Sequence, residues 1–273
     1  MNNNLDLIDS HIHCFKEGFG DDLAKNAGHI NSGEHLREIY KALNVSGAIV
    51  MSNRSLDLDF HDYPDFIRYC IGLDTTVTLL MEDPKQAYDL VEKNLQSKNC
   101  VGIKLYPGYN HHYVADPIYH PIYHLAQKYN KPVAIHTGET ATPFAKLSYS
   151  HPLTLDDVAA DFPNVNFVMC HFGNPWFNDA AAVLSKNKNV SADLSGLLVG
   201  KVDIKSFLIE QKGYVDYLKT WINYVGYDRL MFGTDWPLAN LESYIAFGKE
   251  IIPEKHWQDF FANNARRIYN LDF

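Results

Sequence analysis

Eight short apolar runs, each followed by a polar or helically spaced stretch, set the tightest limit on what this chain can fold into. In order they read LDLID, SGAIVM, RYCIGL, CVGIKLY, KPVAIHT, VNFVMCH, VSADLSG and RLMFGTD. Most are continuous rather than alternating, the pattern of strands buried on both faces of a parallel sheet. Helices fit between them. EDPKQAYDLVEKNLQS offers Asp83 as N-cap and Pro84 at the first helical position, with Ala87, Leu90, Val91 and Leu95 on one face. TLDDVAADFP opens on Thr154 and places Asp157 three residues on, a capping-box-like start that Pro163 ends. DPIYHPIYHLAQKYN starts at Asp116-Pro117, with Pro121 marking a second start. The tail EKHWQDFFANNARRIYNLDF reads as a last helix, and MNNN and the segment from Phe15 to Asn31 read as loop.

Eight βα units in 273 residues predict one α/β domain over residues 1–273, a (β/α)8 TIM barrel closed so that no sheet edge is bare. A hydrophobic share of 46% is enough for such a core. An open doubly wound sheet is the alternative, but no GxGxxG follows the first strand, where a dinucleotide fold would need it. A net charge of -9 and the lack of any Lys/Arg-rich block argue against a nucleic-acid partner. No apolar run approaches the roughly 18 residues of a membrane span. The start lacks a basic segment followed by a long apolar one, so no secretion signal is expected. Cys14, Cys70, Cys100 and Cys170 form no CxxC pair and read as buried thiols of a cytoplasmic protein.

In a parallel barrel the chemistry sits at the C-terminal ends of the strands. Here those ends read DSHIH, GIKLYPG, AIHTGE, MCHFG and FGTDWP. Side chains alternate along a strand, so His11 and His13 face the same way and would meet His136, His171 and Asp235 at the mouth. Taken singly, each has a plainer reading: a packed or hydrogen-bonded imidazole, or a turn cap for Asp235. Their recurrence at the strand ends of one barrel favours a metal. Imidazole nitrogens and a carboxylate oxygen suit a borderline divalent ion, zinc first and manganese second. Such an ion lowers the pKa of water from about 15.7 toward about 7. Tyr106 and Tyr109, in the loop YPGYNHHYVADP, are candidates to line the pocket, while the adjacent His111 and His112 make no second metal site by spacing. Arg54 is the arginine nearest a strand end. His29, His35, His61, His120, His124 and His256 read as surface residues, and His151 as a helix cap.

DSHIH, VAIHTGE, FVMCHFG and LMFGTDWP, in that order, resemble the amidohydrolase superfamily. The match is nearest the amidohydrolase-related branch that includes aminocarboxymuconate-semialdehyde decarboxylase, whose C-terminal helix NNARRIYNL also resembles. The resemblance covers the whole chain and is specific for the superfamily, though weak for substrate. It implies a single divalent ion on His11, His13, His136 and Asp235, with Asp235 also shuttling a proton. His171 would act as a base or polarise the substrate carbonyl, and Asp9 would be structural or hydrogen-bonded to a ligating histidine. Lys104 carries an ambiguity: binuclear relatives bridge two metals with a carboxylated strand-four lysine, whereas in the mononuclear branch it would contact a substrate carboxylate or pair with a neighbouring one. The activity implied is a metal-dependent hydrolase in which an activated water attacks the carbonyl of a small lactone, amide or ester. The alternative is a metal-dependent, non-oxidative decarboxylase of a small carboxylic acid, for which an arginine or aromatic clamp would speak; Arg54, Lys104, Tyr106 and Tyr109 are the substrate-contact candidates. A catalytically silent, ligand-binding barrel is a third reading, and the intact ligand set stands against it. A homo-oligomer is left open.

Overall fold

The computed structural model describes residues 5–14, 18, 20–74 and 77–273, and the expectation for MNNN lies outside them. Eight parallel strands follow in sequence order around one sheet. They are β1 Leu7–Ile12, β2 Val45–Met51, β3 Ile67–Leu73, β4 Cys100–Leu105, β5 Val133–Ile135, β6 Phe167–Met169, β7 Val190–Asp193 and β8 Leu230–Met231. The last strand is only two residues long, so closure is made just beyond it. Ser10 N donates to Phe232 O, Asp235 N to His11 O and His13 N to Trp236 O, at 2.7–3.0 Å, and Ile12 bridges to Trp236. The seam of the barrel is thus also the place where the DSHIH and GTDWP segments meet. This is the (β/α)8 barrel expected from the alternation of apolar runs.

Two apolar clusters hold the fold. The larger packs the outer faces of the strands against the helices. The smaller joins Ile8, Ile49, Cys70, Val168 and Met231 from five strands to Ala265 and Tyr269 of the C-terminal helix Asn264–Tyr269. A Cβ on Gly47 would meet the Phe273 ring at 2.2 Å, and one on Gly102 would meet Tyr269 at 3.5 Å. The end of the chain therefore packs under the strand starts and leaves the opposite, C-terminal mouth open.

The helix Pro84–Gln96 starts as read: the Asp83 side chain accepts from Gln86 N, and Ala87, Val91 and Leu95 are buried. Three local expectations need correction. The helix Thr154–Asp161 has Leu153 at its N-cap with no side-chain cap; Thr154 Oγ1 turns back to the carbonyls of His151 and Tyr149 instead. Within the expected loop 15–31, Asp21–Asn26 is helical, with Ala24 buried; Phe15, Lys16, Glu17 and Phe19 lie outside the described residues. The tail is not one helix: Glu254–His256 is a 3₁₀ turn and Asp259–Asn263 a π turn before Asn264–Tyr269. No helix among the described residues is long and apolar enough to cross a membrane.

Candidate active site

His11 leaves the end of β1 fully buried, and His13 follows two residues later beside it, with ring centroids 5.5 Å apart. Asp235 reaches them from beyond β8. Its Oδ1 lies 3.5 Å from His11 Nε2 and 3.2 Å from His13 Nε2. The turn that aims it is tight, since Asp235 itself has a φ of 62°. Asp and Asn are among the few residues that adopt this left-handed backbone with little penalty. Gly196, at φ +67°, lies across from it, where a Cβ would come 2.9 Å from His171 Nδ1 and 3.2 Å from Asp235 Oδ2. A side chain there would push on both groups at once.

His136 and His171 complete the ring of imidazoles. His171 Nε2 lies 3.1 Å from His136 Nδ1, and their outer nitrogens face carbonyl oxygens: His136 Nε2 faces Glu139 O at 3.0 Å, and His171 Nδ1 faces Ser195 O at 3.1 Å. A neutral imidazole has one N–H. If each outer nitrogen donates to its carbonyl, the two inner nitrogens present lone pairs to each other. A proton or a cation at one of the two nitrogens resolves that contact.

Behind His11 lies a carboxylate. Asp193, from the end of β7, is fully buried and its Oδ2 accepts from His11 Nδ1 at 2.9 Å. This is the oxygen partner that ligating imidazoles usually have on their second nitrogen. Asp9 does not supply it: its oxygens accept from Thr234 N, Thr234 Oγ1 and the Tyr40 hydroxyl, which ties β1 to the β8 end. Burial pushes the Asp9 carboxyl up to about 7 against these donors.

The electrostatics of the mouth ask for a cation. Burial lowers the His11 imidazole to about 4 and lowers His136 and His171 too, so these three rings are neutral at pH 7. For Asp235, burial opposes charge, but the close His13 ring and the adjoining His171 and His11 rings outweigh it and hold the carboxyl below the usual range. Asp193 is held low in the same way, with burial outweighed by His11, His171 and Ser195. His11 Nε2 and Asp235 Oδ1 are buried with no hydrogen-bond partner, which costs free energy unless something else fills the gap. Donor atoms of His11, His13 and Asp235 all lie within 4.8 Å of one another, as do those of His11, His171 and Asp193. Residue types, orphaned atoms and charge all fit a divalent ion. His136 stands beside the first group, linked to it through His171.

A cavity of about 750 Å³ opens above this cluster, and His13, Lys104, Tyr106, His136, His171 and Asp235 line it. The Tyr106 hydroxyl is spent on the carbonyls of Met51 and Ser52, so its ring is what faces the cavity. The Tyr109 ring meets His136 edge-on at 5.1 Å while its hydroxyl accepts from Ala141 N. Lys104 is the one fully buried lysine among the described residues. Its Nζ faces Cys170 Sγ at 2.8 Å and the Tyr106 ring at 5.2 Å; the neighbouring carboxylate that an ion pair would need is not within 4 Å among the described residues. Arg54 also lines the cavity, but its guanidinium donates to the carbonyls of Phe60 and Cys14 and lies over Tyr63.

Two of the histidines read as surface residues are buried. His29 packs on Trp236 at 4.4 Å and accepts from Leu241 N; His61 stacks on Tyr69 at 4.6 Å and faces Ser55 O. Both satisfy a ring nitrogen on the main chain, which lets an imidazole enter the interior. His151 accepts from Leu153 N, a local cap, and faces Asp179. Asp193 and Ser195 were missing from the sequence reading. The signal was present, since VSADLSG ends an apolar run on an aspartate just as RLMFGTD does.

A family model described as Amidohydrolase matches residues 8–271. The chain belongs to the amidohydrolase family. It is therefore an enzyme of a metal-dependent superfamily, in the branch that also holds decarboxylases. Solved structures agree on the fold of this amidohydrolase. An uncharacterized TIM-barrel protein from Bordetella bronchiseptica is 20% identical, with a TM-score of 0.70, covering 97% of this chain and 98% of that one. A 2,6-dihydroxybenzoate decarboxylase from Rhizobium is 16% identical, with a TM-score of 0.67, covering 98% and 99%. A probable 2-pyrone-4,6-dicarboxylic acid hydrolase from Acinetobacter baumannii, with citric acid bound, is 16% identical, with a TM-score of 0.64, covering 97% and 100%. No curated protein matches the chain.

Proposed function

We propose that this amidohydrolase is a metal-dependent hydrolase of a small, carboxylate-bearing lactone, ester or amide. One observation carries the reading: the buried, partnerless His11 Nε2 and Asp235 Oδ1 converge with His13 on one point beside a substrate-sized cavity. His11, His13 and Asp235 would hold the ion, with His136 as the fourth ligand. A bound divalent ion, zinc or manganese, supplies Lewis acidity that polarises a carbonyl and lowers the pKa of water. Asp235 takes the proton of the attacking water and delivers it to the leaving oxygen or nitrogen, which its ionised state at neutral pH permits. His171 lines the cavity and acts there as a base, since its Nδ1 donates to Ser195 O and its Nε2 is left to accept. Lys104 has no carboxylate partner among the described residues and lines the same cavity, so it is the group for a substrate carboxylate. Tyr106 and Tyr109 give flat walls for an unsaturated or ring-shaped body.

Hydrolysis is favoured over decarboxylation by the state of Arg54. A clamp for an aromatic acid needs the terminal nitrogens of a guanidinium, and here both donate to carbonyl oxygens while the plane lies over a tyrosine ring, leaving only the buried Nε unpaired. The test is a substrate panel on zinc- and manganese-loaded enzyme: carboxylated lactones, uncharged lactones and hydroxybenzoates. Ring opening of the carboxylated lactones without release of carbon dioxide is the expected result. Carbon dioxide from hydroxybenzoates alone would make the enzyme a lyase, and turnover that survives complete chelation would overturn the metal.

A further inference from the structure

The oxygens of Asp193 are placed so that each decides where a proton sits. Oδ2 accepts from His11 Nδ1 at 2.9 Å. Oδ1 accepts from His171 N at 3.0 Å, from Ser195 N at 3.1 Å and from the Ser195 hydroxyl. An ionised carboxylate only accepts, so His11 must carry its hydrogen on Nδ1 and leave Nε2 bare. The Ser195 hydroxyl has one hydrogen and gives it to Asp193. His171 Nδ1 is 2.9 Å from that hydroxyl oxygen and 3.1 Å from Ser195 O, so Nδ1 must be the donor there and Nε2 is again bare.

We propose that Asp193 is a positioning residue that fixes the tautomer of His11 directly, and that of His171 through Ser195, so that both rings turn a bare Nε2 to the barrel mouth. The inference rests on the metal reading above, because only a bare nitrogen can ligate or accept. It assigns a role to β7, a strand that brings no ligand of its own to the proposed set. Asp193 acts through other residues and touches no substrate.

The geometry makes a specific demand on Asp193→Asn. Two of the three donors on Oδ1 are backbone N–H groups that cannot turn, so the amide oxygen of an asparagine must stay on that side. Its NH₂ then faces His11 Nδ1, which must become the acceptor. The His11 proton moves to Nε2, the atom that would bind the ion. Asp193→Ala removes the same charge but makes no such demand. The space it leaves admits a water that can accept from Nδ1. The asparagine variant should therefore bind metal worse than the alanine variant, although it fills the site better and should be the more stable of the two.

The experiment is a chelator-competition titration of Zn²⁺ on wild type and both variants, with thermal unfolding alongside. Loss of a hydrogen-bond partner to a ligand typically weakens metal binding about 10–100-fold. The expected order is a loss of about 100-fold for Asp193→Asn and about tenfold for Asp193→Ala. Equal losses would mean that charge alone matters, and a larger loss in the alanine variant would mean packing; either overturns the proposal. Should the alanine variant fail to fold, ¹⁵N chemical shifts of the His11 ring in metal-free wild type and Asp193→Asn decide. Protonation that moves from Nδ1 to Nε2 supports the tautomer role, and an unchanged ring overturns it. A wild type that binds no zinc would defeat the metal reading, while the ¹⁵N shifts of the metal-free protein would still decide this one.

Discussion

Two pairs of histidines in this barrel have the same spacing and opposite character. The ring centroids of His11 and His13 are 5.5 Å apart, and so are those of His29 and His35. In the second pair His29 Nε2 accepts from Leu241 N, its Nδ1 faces His35 Nε2 at 3.4 Å, and Trp236 covers the ring. No carboxylate pairs with either ring among the described residues. In the first pair Asp193 lies behind and Asp235 in front, and His11 Nε2 has no hydrogen-bond partner although Asp235 Oδ1 is 3.5 Å away. Paired imidazoles therefore do not make a metal centre by proximity. What separates the two pairs is a buried carboxylate that fixes one nitrogen and another that converges with the free one. The tryptophan that covers His29 directly follows Asp235, so one short turn, GTDWP, serves both pairs in different ways.

The comparison can be broken most sharply at Asp235. Asp235→Asn keeps the shape but removes the proton acceptor and the charge. Turnover should fall by about 10²–10⁴-fold, as expected when a general acid–base is lost. Steady-state kinetics on the substrate found in the panel checks this, and a loss under tenfold would remove Asp235 from the chemistry. The matching change in the second pair, His29→Gln, should leave turnover and metal content as they are and act on stability alone. Burial lowers the His29 imidazole to about 4, with His35 and Lys201 adding to it. The unfolded chain holds that proton near the ordinary value of about 6.5, so it binds protons more tightly than the folded one. The contribution of His29 is thus complete above about pH 6.5 and is lost as pH falls from there toward 4. It amounts to roughly 2 kcal/mol, allowing for partial solvent contact. Urea unfolding at pH 7.5 and pH 4.5 should show a smaller acid loss in His29→Gln than in wild type. Equal losses would place the acid-sensitive group elsewhere.

Much of the fold was legible because the parallel barrel writes itself as continuous apolar runs. All eight runs became strands, and the ends that carried His or Asp gathered at one mouth. Asp83-Pro84 was legible for a local reason, since N-cap and first-turn preferences act within four residues. Burial of single polar residues was harder to read. His29 and His61 looked like surface residues because nothing near them in sequence announces the main-chain partners, Leu241 N and Ser55 O, that let them go inside. Thr154 looked like a capping box, but its hydroxyl found the carbonyls of the preceding turn. Asp193 was overlooked although its motif resembles that of Asp235. Its role depends on contacts 182 residues away at His11 and 22 residues away at His171, which no local pattern encodes. Of the partners open to Lys104 in the sequence, a substrate carboxylate, a neighbouring one or a pair of metals, the neighbouring carboxylate is not within 4 Å among the described residues, and Nζ faces the thiol of Cys170 at the end of a strand two places round the barrel.

On the proposed reading the first pair of histidines, and not the second, holds one divalent ion. Elemental analysis of the purified protein beside His11→Ala/His13→Ala and His29→Ala/His35→Ala tests it most directly. About one equivalent of zinc or manganese is expected in the wild type and in the second variant, and almost none in the first. Metal that persists in His11→Ala/His13→Ala, or a wild type that takes up none under any loading condition, would contradict it.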